Sequence, residues 1–211
     1  MCADKDMNNN DCDCHLESSE CNILGPFLAV KESCVKPTPP PVRTGMVIPF
    51  SSGITLVNLS TLANGVIGLP SLIGFGTALA GFTPINNEFD TSGFATEAFS
   101  FSRSGTITAI SAAFTVTIGI NALVGVTTIN ARIYRAPEGS TVFTGTTATI
   151  DLTPTFTGIV STGTTAFGSA DITPVPLVRG DRLLMVFSIT TNGVNVLQTI
   201  TGTVSAGITI E

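Results

Sequence analysis

Apolar residues recur at every second position in short runs broken by glycine, proline and asparagine, and that period points to an all-β chain. Ile129, Ala131 and Ile133 alternate with Asn130, Arg132 and Tyr134, the pattern of a half-buried strand. Val196, Ile200, Val204, Ala206, Ile208 and Ile210 share one parity and are expected to face one way. Between Gly105 and Gly119 the apolar parity switches from Ile107 and Ala109 to Phe114, Val116 and Ile118, which predicts a bulge near Ala112-Ala113. Asp181-Arg182 precedes Leu183-Leu184-Met185-Val186-Phe187, predicted as a strand buried on both faces. Asn192-Gly193, Pro137-Glu138-Gly139 and Arg179-Gly180 read as turns. With 21 glycines, 12 prolines and only 11% charged residues the chain is too punctuated for a helical bundle. A mean hydropathy of +0.46 makes it too apolar for disorder. Many short strands suggest a sandwich or jelly roll.

Composition divides the chain near residue 43. Residues 1–43 hold all five cysteines, the only histidine (His15), all the lysines (Lys5, Lys31, Lys36) and seven of the fifteen carboxylates. This segment ends in Lys36-Pro37-Thr38-Pro39-Pro40-Pro41-Val42-Arg43, where proline fixes φ and favours an extended polyproline spacer. We therefore expect a connector over 1–43 and a head domain over 44–211. From Thr44 onward there are five arginines, eight carboxylates and no lysine, so the surface must be made largely of Thr, Ser, Asn and Gly.

The charge balance narrows the function classes. A net charge of −6 opposes nucleic-acid binding, which needs a basic surface to release counterions from phosphates. One histidine, placed in the connector, and no Gly-x-Ser-x-Gly elbow argue against a Ser-His hydrolase. No cofactor motif is evident, and an enzyme is not expected. Arg132, Arg135, Arg179 and Arg182 are expected to form surface or interface ion pairs with Glu138, Asp151, Asp171 or Asp181, rather than catalytic pairs. From Thr44 to Asn87 no residue is charged, and Leu62–Phe82 is long enough to cross a bilayer as a helix. Against a span stand Pro70 and five glycines, at about 3 and about 1 kcal/mol each in a helix. Buried strand and loop, or a subunit interface, is the expected use of this stretch, with no membrane span. A charge-poor, glycine-rich surface can pack against copies of itself, and oligomerisation is the outlet for apolar material that one small domain cannot bury.

Six segments carry a resemblance. They are Ile48-Pro49-Phe50-Ser51-Ser52-Gly53, Gly65-Val66-Ile67-Gly68-Leu69, Ile73-Gly74-Phe75-Gly76, the run from Ala98 to Ala112, Leu183-Leu184-Met185-Val186-Phe187-Ser188, and Val204-Ser205-Ala206-Gly207-Ile208-Thr209-Ile210. In order, over almost all of 46–210, they resemble the C-terminal domain of the B-type collagen-like exosporium glycoproteins of Bacillus spores. The resemblance implies an antiparallel jelly-roll sandwich, related to tumour-necrosis-factor and complement-type heads, that forms a homotrimer on the spore surface. It also implies that exposed threonines can carry O-glycans. The departure is the missing Gly-X-Y stalk. In its place stands a connector similar to those of endospore appendage fibre subunits, with cysteines, an apolar patch and the proline spacer.

Three readings of the connector's chemistry remain open. Cys2, Cys12, Cys14, Cys21 and Cys34 are an odd set, so at least one thiol is free or joined to another chain if the others pair internally. Cross-links between stacked trimers, or to cysteine-rich exosporium proteins, would each contribute about 2–4 kcal/mol. A polar tail with reduced thiols is the second reading, and a metal site at Cys12-Asp13-Cys14-His15 is the third, although its spacing departs from the usual pattern. Ile23, Leu24, Phe27, Leu28 and Val30 form either a plug for a neighbouring trimer or the first strand of the chain's own head. Met1-Cys2-Ala3-Asp4-Lys5-Asp6 has no apolar stretch, so a secretory signal is not expected. A thiol-rich protein made in the mother-cell cytosol, assembled on the spore surface and oxidised later reconciles that with disulfides. The expectation is a self-polymerising fibre subunit without cofactor or nucleic-acid partner. The rival is a trimeric tip or anchor module that recognises a glycan or protein.

Overall fold

The computed structural model describes residues 45–93, 97–192 and 197–211. They form fourteen strands and no helix. In chain order these are Met46–Ser51 (β1), Val57–Thr61 (β2), Ile67–Leu69 (β3), Ser71–Ile73 (β4), Ala78–Ala80 (β5), Glu88–Asp90 (β6) and Phe99–Ser100 (β7). There follow Gly105–Ile118 (β8), Ile120–Ala136 (β9), Val142–Asp151 (β10), Phe156–Val160 (β11), Thr165–Leu177 (β12), Arg182–Asn192 (β13) and Thr199–Ile210 (β14).

The strands build two antiparallel sheets packed as a sandwich. The first runs β12-β8-β14-β2-β3, and β1 pairs with the half of β14 that β2 leaves free. The second runs β5-β4-β13-β9-β10-β6, with β11 on the far half of β9 and β7 at the start of β13. Between them lies one core, in which Phe50, Leu59, Ile110 and Phe114 of the first sheet meet Ile73, Ile133, Met185 and Phe187 of the second. Six phenylalanines are fully buried in the domain, each contributing about 1.5–3 kcal/mol.

The period-two reading holds for most of the large side chains but not for Ile118, which is 55% exposed although Phe114 and Val116 are buried, because a register shift separates it from Val116. Ile129, Ala131 and Ile133 are buried in the core, as are Ile200, Val204, Ile208 and Ile210; Ala206 is half-buried against it, and Val196 lies outside the described residues. In β14 the inward position between Ile200 and Val204 is Gly202, because a Cβ there would strike the Phe114 ring and the Thr115 carbonyl. Leu183 to Phe187 is buried on both faces, as expected. Leu183, Met185 and Phe187 face the core, while Leu184 and Val186 join Leu72, Phe89, Tyr134 and Phe143 in a second cluster. Tyr134 points away from the core yet is only 3% exposed, because Phe89 packs on it at 4.7 Å between ring centroids and Phe82 packs on Phe89 at 5.5 Å.

β8 carries two bulges and neither is at the expected place: Thr117 is the extra residue between Val116, paired with Gly202, and Ile118, paired with Thr201, and the second lies nearer the C-terminal end of β14. Ile208 pairs with Ile110, Thr209 with Ala109 and Ile210 with Ile107, so Thr108 is the extra residue and its buried hydroxyl has no partner. Alanines suit either face, so side-chain parity could not separate Ala109 from Ala112. Pro137–Ser140 and Val178–Asp181 are turns, closed by backbone bonds of 3.0 and 3.1 Å, with Gly139 and Gly180 at positive φ. Gly193, half of the expected Asn192-Gly193 turn, lies outside the described residues. The uncharged stretch 62–82 forms β3, β4, β5 and their turns, and no helix among the described residues is long and apolar enough to cross a membrane.

Candidate assembly surfaces

Register fixes two ends to the sandwich. At the proximal end Met46 pairs with Ile210, and Thr106 and Glu211 exchange backbone bonds of 2.8 and 2.9 Å, so the first and last strands meet there. β8 then runs away for 14 residues, about 48 Å at roughly 3.4 Å each, to the distal end. The turns 62–66 and 161–164, the start of β9 and the end of β13 lie at that end.

The charges are segregated along this axis. Asp151, Asn130 and Ser188 form one cross-strand row, and in the first sheet Asp171 pairs with Ala109. No charged side chain among the described residues lies on the distal side of those rows. At the proximal end the ions are built into the frame. Arg135 Nε lies 3.5 Å from Asp181 Oδ2, and Asp181, 4% exposed, accepts the Val178 N–H at 2.7 Å. Arg182 stacks over Phe143 at 5.2 Å. The Arg135–Asp181 pair is of the kind expected; Arg182 instead stacks on a ring, and Arg132 donates to the side-chain oxygen of Asn87 at 2.9 Å.

The distal end carries exposed apolar side chains in place of charges. Leu62, Val66, Ile118, Val124, Val126, Ile159 and Leu197 are exposed there, Ile159 by 76% and Leu197 by 63%. Contiguous apolar patches on a soluble surface mark interaction sites. Neither ion pairs nor long flexible cations would have to be desolvated to cover this one.

A second surface, uncharged on the distal side of Asp171, is the outer face of the first sheet. Successive cross-strand rows place Phe167, Ala113 and Ser205 together, then Gly168, Ala112 and Ala206, then Ser169, Ser111 and Gly207. They line a shallow recess of about 250 Å³. Phe167, 62% exposed, is the one large side chain among them and stands as a knob beside a floor of small residues. Small residues let a second backbone approach closely, and the knob supplies the apolar area.

No protein-family model and no curated protein matches the chain. The residues nominated from the sequence for cross-linking, Cys2, Cys12, Cys14, Cys21 and Cys34, and for the plug, Ile23, Leu24, Phe27, Leu28 and Val30, lie outside the described residues. Sequence reasoning missed both surfaces in the head. A signal for the distal end was present in the charge-free runs 112–131, 152–170 and 183–210.

Proposed function

We propose that the chain is a structural subunit of a Bacillus spore-surface fibre, an endospore appendage or exosporium element, and not an enzyme. Homotrimeric jelly-roll heads stack head to tail through connectors 1–43, and the cysteines cross-link them. The strand orders β12-β8-β14-β1 and β4-β13-β9-β10, with β12, β13 and β14 alternating between the two sheets, support the jelly-roll reading. The Phe167 knob and its small-residue surroundings support a trimer seam on the first sheet.

The observation that carries the reading is the unlikeness of the two ends. The proximal end holds the ions, beside exposed Met46, Val47 and Val178, whereas the end about 48 Å away carries exposed apolar side chains and no charge among the described residues. A contact between unlike ends is heterologous and open, so its product is a filament.

Electron microscopy of the full-length protein tests this reading, with wild type compared with a variant whose five cysteines are serine. Wild-type filaments that survive heating in detergent and fall apart on adding reductant are expected, with the variant dissociating in both conditions. Discrete particles that never polymerise would overturn the fibre reading, and wild-type filaments equally labile with and without reductant would remove the disulfides from it.

A further inference from the structure

The outer face of the second sheet holds a polar cleft of about 180 Å³ that neither assembly surface includes. Its floor is two strands wide. Asn130 and Arg132 of β9 stand beside Ser188 and Val186 of β13, Asp151 of β10 flanks Asn130, and Ile67 of β3 forms a wall. The volume is several times the roughly 30 Å³ a single water occupies in the liquid.

The polar groups are held in place before any ligand arrives. The Asn130 amide donates to Asp151 Oδ1 at 2.7 Å, Thr149 Oγ1 at 2.9 Å and the Ile150 carbonyl at 3.2 Å. Arg132 donates from Nη1 to Asn87 Oδ1 at 2.9 Å, and Tyr134 donates to the same oxygen at 3.3 Å. Asn87 in turn sits at φ 62° and donates to the Gly145 carbonyl at 3.0 Å. The Arg132 guanidinium is thus fixed through one nitrogen, while its buried Nε has no partner.

We propose that this cleft binds a neutral pyranose through neighbouring hydroxyls. One cation, Arg132, and one carboxylate, Asp151, line it as diagonal neighbours on adjacent strands, about 7–8 Å apart at the backbone. Their charges cancel, so a ligand with a net charge meets repulsion at one of them. A hydroxyl both donates and accepts, and neighbouring hydroxyls can bond Arg132 on β9 and Asp151 on β10, with Ser188 on the far side of Asn130. Ile67 and Val186 offer an apolar strip to the C–H face of the ring. Fixed polar groups beside an apolar wall are the usual make-up of a small-ligand site.

The test uses the purified full chain with the methyl glycosides of glucose, galactose, mannose, rhamnose and N-acetylglucosamine, screened by saturation-transfer NMR and titrated by calorimetry. At least one is expected to bind saturably and without salt dependence. Arg132→Met and Ser188→Val are each expected to weaken it by about tenfold or more, which is about 1.4 kcal/mol. Methyl glucuronide and glucosamine are expected to bind more weakly. Circular dichroism checks each variant, and Ser188→Val, which places a strand-favouring residue there, decides alone if Arg132→Met does not fold. Absence of saturable binding across the panel overturns the proposal, as does undiminished binding by the folded variants or binding of the charged sugars alone. Loss of filaments without loss of sugar binding would count against the assembly reading only.

Discussion

Arg135 Nε lies 3.5 Å from Asp181 Oδ2, and through this contact the end of β9 is tied to the turn that opens β13. Asp181 also accepts the Val178 N–H, and Arg135 donates to the Pro176 carbonyl at 2.9 Å. Replacing Asp181 with alanine leaves a backbone donor and a partly buried guanidinium without their acceptor. A loss of about 3 kcal/mol in unfolding free energy is expected, with a smaller loss for Asp181→Asn, measured by denaturant titration of each variant.

Gly202 faces the core against Phe114. Gly202→Ala should cost about 1–3 kcal/mol through overpacking, because the neighbouring Thr115 carbonyl cannot swing aside. Thermal unfolding reads the effect. An unchanged Tm would mean that β14 and β8 are spaced more loosely than the register implies.

The two assembly surfaces separate by mutation. Ile159→Asp with Leu197→Asp puts charge on the distal end, where no described residue carries any, and should abolish filaments in electron micrographs while the mass of the proposed trimer by light scattering is kept. Filaments of wild-type length would show that stacking uses another surface.

Ser111→Arg places a long cation on the outer face of the first sheet, beside Ala113 and Gly207. Light scattering should then report a monomer of wild-type circular dichroism. A trimer of unchanged stability would move the seam elsewhere.

Asp90 gives a pH signature. The Ser92 backbone N–H, then the Ser92 and Thr141 hydroxyls, hold its carboxyl below the ordinary value of 3.8. A depressed folded-state pKa stabilises the protein above the unfolded value, and that contribution is lost as pH falls through the folded one. Asp90→Ala should therefore be less stable than wild type at neutral pH, with the gap closing below about pH 3.8 in thermal scans. A gap that stays constant into acid would assign the loss to packing instead.

The amino-acid sequence by itself determined the class of fold and the position of four of the long strands, β8, β9, β13 and β14. Period-two burial depends only on which side chains are large and apolar, and Ile129, Ile133, Phe187 and Val204 are unambiguous in that respect. It failed at Thr108, because the surrounding small residues suit either face, and at Tyr134, whose cover comes from Phe82 and Phe89 far along the chain. The charge-free runs around β8–β9, β11–β12 and β13–β14 were equally visible, but as separate stretches. Only the tertiary structure decided that antiparallel pairing brings them to one end and collects the ions at the other, since a strand's direction and neighbours are set by long-range register rather than by local pattern. The cleft belongs to the same category. Asn130, Arg132, Asp151 and Ser188 come from three strands, and nothing in their spacing along the chain joins them before the sheet does.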